Sequence, residues 1–260
     1  MEYIPLGETN AQVPKIGFGT WKYSGGTGVL KRAVELGANL VDTAESYNTE
    51  RIVGQEIAGF REKMFVATKV SPRNLRHDDV LSHAEASLKA LNIATIDLYQ
   101  VHWPSDDIPI AETMRAFEEL VAAGKIRFIG VSNFSVDQMK AAHDSLKANP
   151  LASNQVKYNL FTRSIETDIL PYCQQHNIAV MAYSPLTQGK LDQVLPGSGV
   201  DDVVRQTGKT VGQVLLNWVI SHPGVFAIPK TDRVERVDED CGAVGWSLTD
   251  AQRKRLEASA

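Results

Sequence analysis

The chain has 260 residues, 43% of them hydrophobic and 22% charged, enough apolar material for one large core of barrel size. A net charge of −4 and an isoelectric point near 5.9 exclude the strong basic surface that nucleic acid or an anionic membrane requires. Two cysteines, Cys173 and Cys241, lie far apart and in no metal-ligand spacing, which fits free thiols in a reducing compartment and no disulfide framework.

At the N-terminus, "YIPLG" and "AQVP" flank the turn residues "ETN" and predict a small β-hairpin at the barrel bottom. Eight apolar, β-branched runs follow: "KIGFG" (15–19), "NLVD" (39–42), "MFVATK" (64–69), "IDLYQVH" (96–102), "IRFIGVS" (126–132), "ASNQVKY" (152–158), "IAVMAYS" (178–184) and "VFAIPK" (225–230). Between them, stretches such as "VLKRAVELG", "AETMRAFEELVAAG" and "TVGQVLLNWVISH" repeat apolar residues at three- and four-residue spacing, as helices packed on a sheet do. Gly37 and Gly124 stand where helix C-caps are expected, and Ser135 and Thr249 where N-caps are. Strands alternating with helices predict parallel βαβ units, and eight of them predict an α/β fold of the (β/α)8 TIM barrel type, with residues 1–260 as a single domain. The rival open doubly wound sheet would carry a glycine-rich turn after its first strand, and none is present. "MEYIPLGETN" has no basic or apolar leader segment, and no apolar run approaches the ~20 residues of a membrane span, so a cytoplasmic protein is expected, a monomer with no membrane partner.

The strand-like runs are apolar until their C-terminal ends, where polar residues gather. The ends carry Asp42, Lys69, His102, Ser132-Asn133, Tyr183-Ser184 and Lys230, and the sixth run holds Gln155. In a barrel these ends open onto one face, the face that carries active sites. Singly, Asp42 reads as a helix-start carboxylate, Tyr47 as a packing residue, Lys69 as a solvated strand end and His102 as a hydrogen-bonded core histidine. Together they make an acid site. Tyrosine, with an ordinary pKa near 10, is a poor proton donor at neutral pH; an ammonium nearby lowers that value, a carboxylate keeps the ammonium charged, and a histidine positions a carbonyl oxygen. Protonating a carbonyl oxygen requires a hydride from elsewhere, and no side chain delivers one, so a cofactor is implied. No metalloprotease spacing or serine nucleophile elbow occurs. "TGKT" (207–210) lacks the leading glycine of a P-loop, since Val203 stands there.

In order along the chain, "VPKIGFGTW", "VDTAESYNTERIVG", "VATKV", "IDLYQVHWP", "GKIRFIGVSNF", "NQVKYN", "AYSPLTQGKL" and "IPKTDRVERVDED" resemble the signature segments of the aldo-keto reductase superfamily. That resemblance implies a TIM barrel and NADPH-dependent reduction of aldehydes or ketones. It implies Asp42, Tyr47, Lys69 and His102 as a catalytic tetrad with Tyr47 as general acid. It further implies Ser132, Asn133 and Gln155 on the nicotinamide carboxamide, Tyr183 against the ring, and Ser184, Leu186 and Gln188 along the pyrophosphate. Lys230, Thr231 and Arg236 would hold the 2′-phosphate, with Glu239 and Asp240 near adenine. Thr231 stands where the family often has serine. Asp240 stands where asparagine is common, which leaves NADH use open beside NADPH/NADP+. The small basic cluster of Lys230, Arg233 and Arg236 suits a phosphate, or else a solvated loop paired internally with Asp232, Glu235 and Asp238. Many relatives continue into a long C-terminal loop; the chain ends soon after "TDAQRKRLEASA", so an open pocket for small aldehydes, α-dicarbonyls or sugar-derived carbonyls is expected. Trp21 and Trp103 are candidate pocket walls, with Tyr23 and Trp246 further candidates. An alternative is a barrel that binds NADPH as a regulatory or structural subunit with little turnover.

Overall fold

The computed structural model describes residues 1–26, 28–187 and 197–259. Strands β1 (Tyr3–Pro5) and β2 (Gln12–Pro14) pair antiparallel, with Ile4 opposite Val13. The hairpin turns its apolar side into the barrel: Leu6 and Val13 join Leu40, Phe65, Leu98 and Phe226 in one buried cluster, so the hairpin plugs the end where the strands begin. Gly7 makes the close approach possible. It sits at φ +60°, and a Cβ there would lie 2.6 Å from the Ala152 carbonyl oxygen, so any side chain would push the plug away.

Eight parallel strands follow in sequence order: β3 (Phe18–Gly19), β4 (Leu40–Asp42), β5 (Phe65–Val70), β6 (Ile96–Val101), β7 (Ile126–Ser132), β8 (Leu151–Lys157), β9 (Ala179–Tyr183) and β10 (Val225–Ala227). The ring closes where Ile16 bridges Ala227 and the Gly17 N–H donates to the Ala227 carbonyl at 2.9 Å. Every residue of β5 and β6 is buried, as parallel strands covered on both faces must be. Their outward side chains meet a shell of helices: α1 (Val29–Glu35), α2 (Glu50–Ile57), α3 (His77–Leu91), α4 (Ile110–Ala122), α5 (Val136–Ser145), α6 (Ile169–Gln175), α7 (Gly199–Thr207), α8 (Val211–Ile220), α9 (Val234–Cys241) and α10 (Asp250–Glu257). Tyr99 of β6 stacks on Phe117 of α4 with ring centroids 5.1 Å apart.

Gly37 and Gly124 take positive φ just past α1 and α4, and Ser135 and Thr249 close capping boxes with Gln138 and Gln252. The outer runs form shorter strands than their composition predicts. Of 15–19 only Phe18–Gly19 is laddered, and 225–230 yields only Val225–Ala227. Pro229 has no N–H to continue a ladder, and its carbonyl instead accepts from the Gly19 N–H at 2.9 Å. Among the described residues no helix is long and apolar enough to cross a membrane.

Candidate active site

Parallel strands deliver their last residues to one rim. β4 ends on Asp42, β5 carries Lys69 one residue before its end, and His102 follows β6 directly. The Lys69 side chain has no exposure at all, and its ammonium lies 2.6 Å from Asp42 Oδ2 and 2.8 Å from the Thr43 carbonyl oxygen. A charge so deeply buried persists only when paired and hydrogen-bonded. Burial works against the ammonium, yet the Asp42 carboxylate and the Tyr47 phenol outweigh it, and the pKa of Lys69 rises. The other Asp42 oxygen accepts from Gln155 Nε2 at 2.8 Å and from Gln100 Nε2 at 3.2 Å. Asp42 is thus the second half of a buried ion pair rather than a helix cap.

Tyr47 rides on a 3-10 turn, Glu45–Tyr47, that begins three residues after the end of β4. The Lys69 ammonium sits 4.8 Å from the Tyr47 ring centroid. His102 Nε2 lies 3.5 Å from the same phenol oxygen, with its ring edge-on to the tyrosine. Side chains from the ends of three neighbouring strands and from one turn therefore gather around the Tyr47 ring. The pull of Lys69 on the phenol is real but does not win. Burial raises the Tyr47 pKa, Lys69 lowers it, Asp42 raises it again, and the net direction is upward, against the lowering expected from the sequence. The reason is that Lys69 already shares its charge with Asp42, while the pocket withholds water from a phenolate. Burial and the Lys69 charge together depress His102 to about 4, so the imidazole is neutral at physiological pH.

Sequence reasoning missed the residue that anchors the turn. Glu45 Oε1 accepts from the Ser71 N–H at 2.6 Å and from Asn74 Nδ2 at 2.8 Å, and Oε2 meets His83 Nδ1 at 2.7 Å. Burial opposes the Glu45 charge, but these donors hold its pKa below the ordinary carboxylate value. Ser46, also on the turn, places Oγ 3.3 Å from His102 Nδ1. Gln100 was equally unnoticed. A glutamine next to the C-terminal end of the buried run "IDLYQV" was the available signal, as Gln155 was in its own strand.

Beside the tetrad lies a neutral polar patch. The Ser132 hydroxyl donates to the Gln155 carbonyl at 2.9 Å and accepts from Asn133 Nδ2 at the same distance. The Tyr183 hydroxyl donates to Asn133 Oδ1 at 3.1 Å, so the four residues expected around a nicotinamide are contiguous. Trp21 and Trp103 are each 49% exposed; the Lys22 ammonium lies over one face of Trp21, 4.4 Å from the ring centroid. Tyr23 and Trp246 do not qualify. Tyr23 is buried and donates to Glu56 Oε2 at 2.7 Å, and the Trp246 indole donates to the Gly242 carbonyl beside α9 at 3.1 Å. Ser184 follows β9 at φ +51° and its carbonyl accepts from Asn159 Nδ2, while Leu186 packs partly buried on the core. Gln188 lies outside the described residues.

The basic cluster lies after β10, as expected, but its charges are already matched. Lys230 pairs with Asp232 and Arg236 with Glu239, while Arg233 stands 3.8 Å from Glu235. Thr231 Oγ1 accepts from the Arg233 N–H at 3.0 Å. Asp240 does not face outward toward a ligand. It is 4% exposed, and burial followed by repulsion from Glu239 outweighs Arg236 and lifts its pKa to about 7. An acid with its folded pKa above its ordinary 3.8 binds more protons folded than unfolded between those values, so its contribution to stability falls as pH rises from about 4 to about 7. Asp240→Asn is therefore expected to stabilise the protein by an amount that grows across that window and levels above it at about 4 kcal/mol. Thermal unfolding at pH 5 and pH 8 measures it; equal shifts at both would show that the carboxyl is not held protonated.

A TIM barrel with such a polar cluster at its strand C-termini is an enzyme scaffold. The chain belongs to the aldo/keto reductase family, whose model matches residues 15–260. It is 40% identical over 261 residues to the methylglyoxal reductase YeaE of Escherichia coli, covering 95% of this chain and 91% of that protein. It is 32% identical over 253 residues to the glyoxal reductase of Bacillus subtilis, covering 95% and 89%. A crystal structure of an aldo/keto reductase from Klebsiella pneumoniae in complex with NADP and acetate superposes with a TM-score of 0.90 at 37% identity, over 99% of this chain and 95% of that one.

Proposed function

We propose that the protein is an NADPH-dependent carbonyl reductase acting on small aldehydes and α-dicarbonyl compounds such as methylglyoxal, with Asp42, Tyr47, Lys69 and His102 as its catalytic residues. One observation carries the reading: a fully buried ammonium stands between a carboxylate and a phenol whose oxygen also faces a neutral histidine.

The donor set fits the cofactor. Ser132, Asn133 and Gln155 offer hydroxyl and carboxamide groups to a nicotinamide carboxamide, with Tyr183 against the ring. Ser184 and Leu186 would flank the pyrophosphate, Lys230, Thr231 and Arg236 would hold the 2′-phosphate, and α9, which carries Glu239 and Asp240, would lie near the adenine. When bound, NADPH supplies the hydride that reaches the carbonyl carbon. The chain supplies the proton. Tyr47 gives its phenolic hydrogen to the carbonyl oxygen as negative charge develops there, and Lys69 stabilises the phenolate left behind. Asp42 keeps Lys69 charged and fixed. His102, whose Nδ1 lies 3.3 Å from Ser46 Oγ, orients the carbonyl by donating from Nε2 in the tautomer whose Nδ1 accepts from that hydroxyl. Trp21 and Trp103 provide apolar walls. The relatives named for methylglyoxal and glyoxal reduction support the substrate class.

Oxidation of NADPH with a panel of aldehydes and α-dicarbonyls tests the proposal. Turnover of small dicarbonyls supports it. A strong preference for bulky steroids overturns the substrate class, and tight NADPH binding with no turnover replaces the enzyme with a regulatory barrel. The same reading takes residues 1–260 as one domain working as a monomer in the cytoplasm; a stable dimer in sedimentation would overturn the monomer.

Glu45 is a positioning residue in this scheme, since it touches no reacting atom but fixes the turn that carries the acid. Glu45→Ala is expected to lower kcat about tenfold with little change in KM, because a small misplacement of the acid acts on the chemical step. Glu45→Gln should recover part of the loss, as its amide oxygen still accepts from Ser71. Steady-state kinetics on both variants decides; loss in KM alone would place Glu45 in substrate binding.

A further inference from the structure

The two cations proposed to receive the 2′-phosphate are each already engaged by a carboxylate that is itself held in place. Asp232, the partner of Lys230, accepts at its other oxygen from the Ser24 N–H at 3.1 Å. Ser24 lies three residues after Trp21, in the loop that follows β3. Glu239, the partner of Arg236, accepts at its other oxygen from Thr210 Oγ1 at 2.7 Å, at the N-cap of α8. A surface ion pair between free side chains is weak because ordering them costs as much as the attraction returns. Here a backbone donor has already ordered the carboxylate, so the aspartate is a pre-positioned occupant of the place a phosphate would take. Lys230 and Ser24 also keep its pKa below the ordinary value against burial, so it is charged at neutral pH.

We infer that Asp232 is an internal competitor for the 2′-phosphate, one that sets how far the site prefers NADPH over NADH and that releases its hold on the Trp21 loop when phosphate takes Lys230. This rests on the proposed NADPH site. A phosphate dianion must displace the carboxylate or sit against it, and either lowers the selectivity that Lys230 and Arg236 would otherwise give. A dinucleotide without the 2′-phosphate leaves the Lys230–Asp232 pair closed. The aspartate also does two separable things: its charge competes with phosphate, and its oxygen receives Ser24.

Calorimetric titration of NADPH and of NADH into the full chain and its variants separates the two. Asp232→Asn loses the charge and keeps an oxygen for Ser24. It is expected to tighten NADPH by about three- to tenfold while moving NADH by less than about twofold. Asp232→Ala should show the same gain in selectivity and also an altered KM for the carbonyl substrate, because the Trp21 loop loses its tether. In a Lys230→Met background, Asp232→Asn should no longer change the NADPH to NADH ratio. An unchanged or reduced ratio in Asp232→Asn overturns the inference while the NADPH site stands. A parent chain that binds neither dinucleotide overturns both.

Discussion

Tyr47→Phe is expected to lower kcat/KM for carbonyl reduction by about 100- to 10,000-fold while the barrel remains folded and still binds NADPH. The structure makes this a clean substitution. Removing the hydroxyl leaves Lys69 bonded to Asp42 and to the Thr43 carbonyl, so no buried charge loses its main partner. The packing of the ring against His102 is retained. What is lost is the phenolic proton proposed to reach the carbonyl oxygen. His102 cannot replace it as a strong acid, because burial and Lys69 keep it neutral above about pH 4. The parent's rate should be flat from about pH 6 to about pH 9, since the imidazole is already neutral and the raised phenol is still protonated. Steady-state rates across that range measure both effects. Activity near that of the parent in Tyr47→Phe would remove Tyr47 as the acid.

Lys69→Met has the second large effect, and it acts on stability as well as rate. The substitution strands the Asp42 carboxylate at 2% exposure with only the amides of Gln100 and Gln155. Breaking one side of a buried ion pair typically costs about 3–5 kcal/mol, because the remaining charge is uncompensated. Turnover should fall together with stability, as the phenolate loses its neighbouring cation. The double variant Asp42→Asn/Lys69→Met separates the two losses. It removes both charges and leaves amides facing one another, so most of the stability should return while the activity does not. Denaturant unfolding and kinetics on the single and double variants test this. A double variant as unstable as Lys69→Met would mean that the lysine stabilises by packing rather than by its charge.

Much of the fold was legible because its signal is periodic. Apolar strands alternated with three- and four-residue helix patterns, and Gly37, Ser135 and Thr249 marked helix ends where the structure has them. The convergence of Asp42, Lys69 and His102 was legible for a topological reason: parallel strands bring their ends to one rim, so these side chains had to meet once the barrel was recognised. What escaped depends on register and on charge. Gln155 reaches Asp42 across 113 residues, and Gln100 across 58, through the relative shift of strands that no local pattern encodes. Glu45 reads in "DTAESY" as one more solvated carboxylate, and only the return of the chain after β5 supplies its donors. The direction of the Tyr47 shift could not be read either, since it is decided by how much water the folded pocket excludes. At the basic cluster, composition allowed a phosphate site or a paired loop. The structure has paired charges, with Asp232 and Glu235 as expected but with Arg236 on Glu239, since Asp238 pairs with Arg32, and Asp232 connects the two readings.

The most direct test of carbonyl reduction is to follow the hydride itself. Methylglyoxal is incubated with the protein and NADPH carrying deuterium at both hydrogens of nicotinamide C4, and the alcohol product is analysed by mass spectrometry. The expected product carries one deuterium on the former carbonyl carbon, with the hydroxyl proton drawn from solvent through Tyr47. Absence of any alcohol, or an alcohol without the label, would contradict hydride transfer from NADPH at this site.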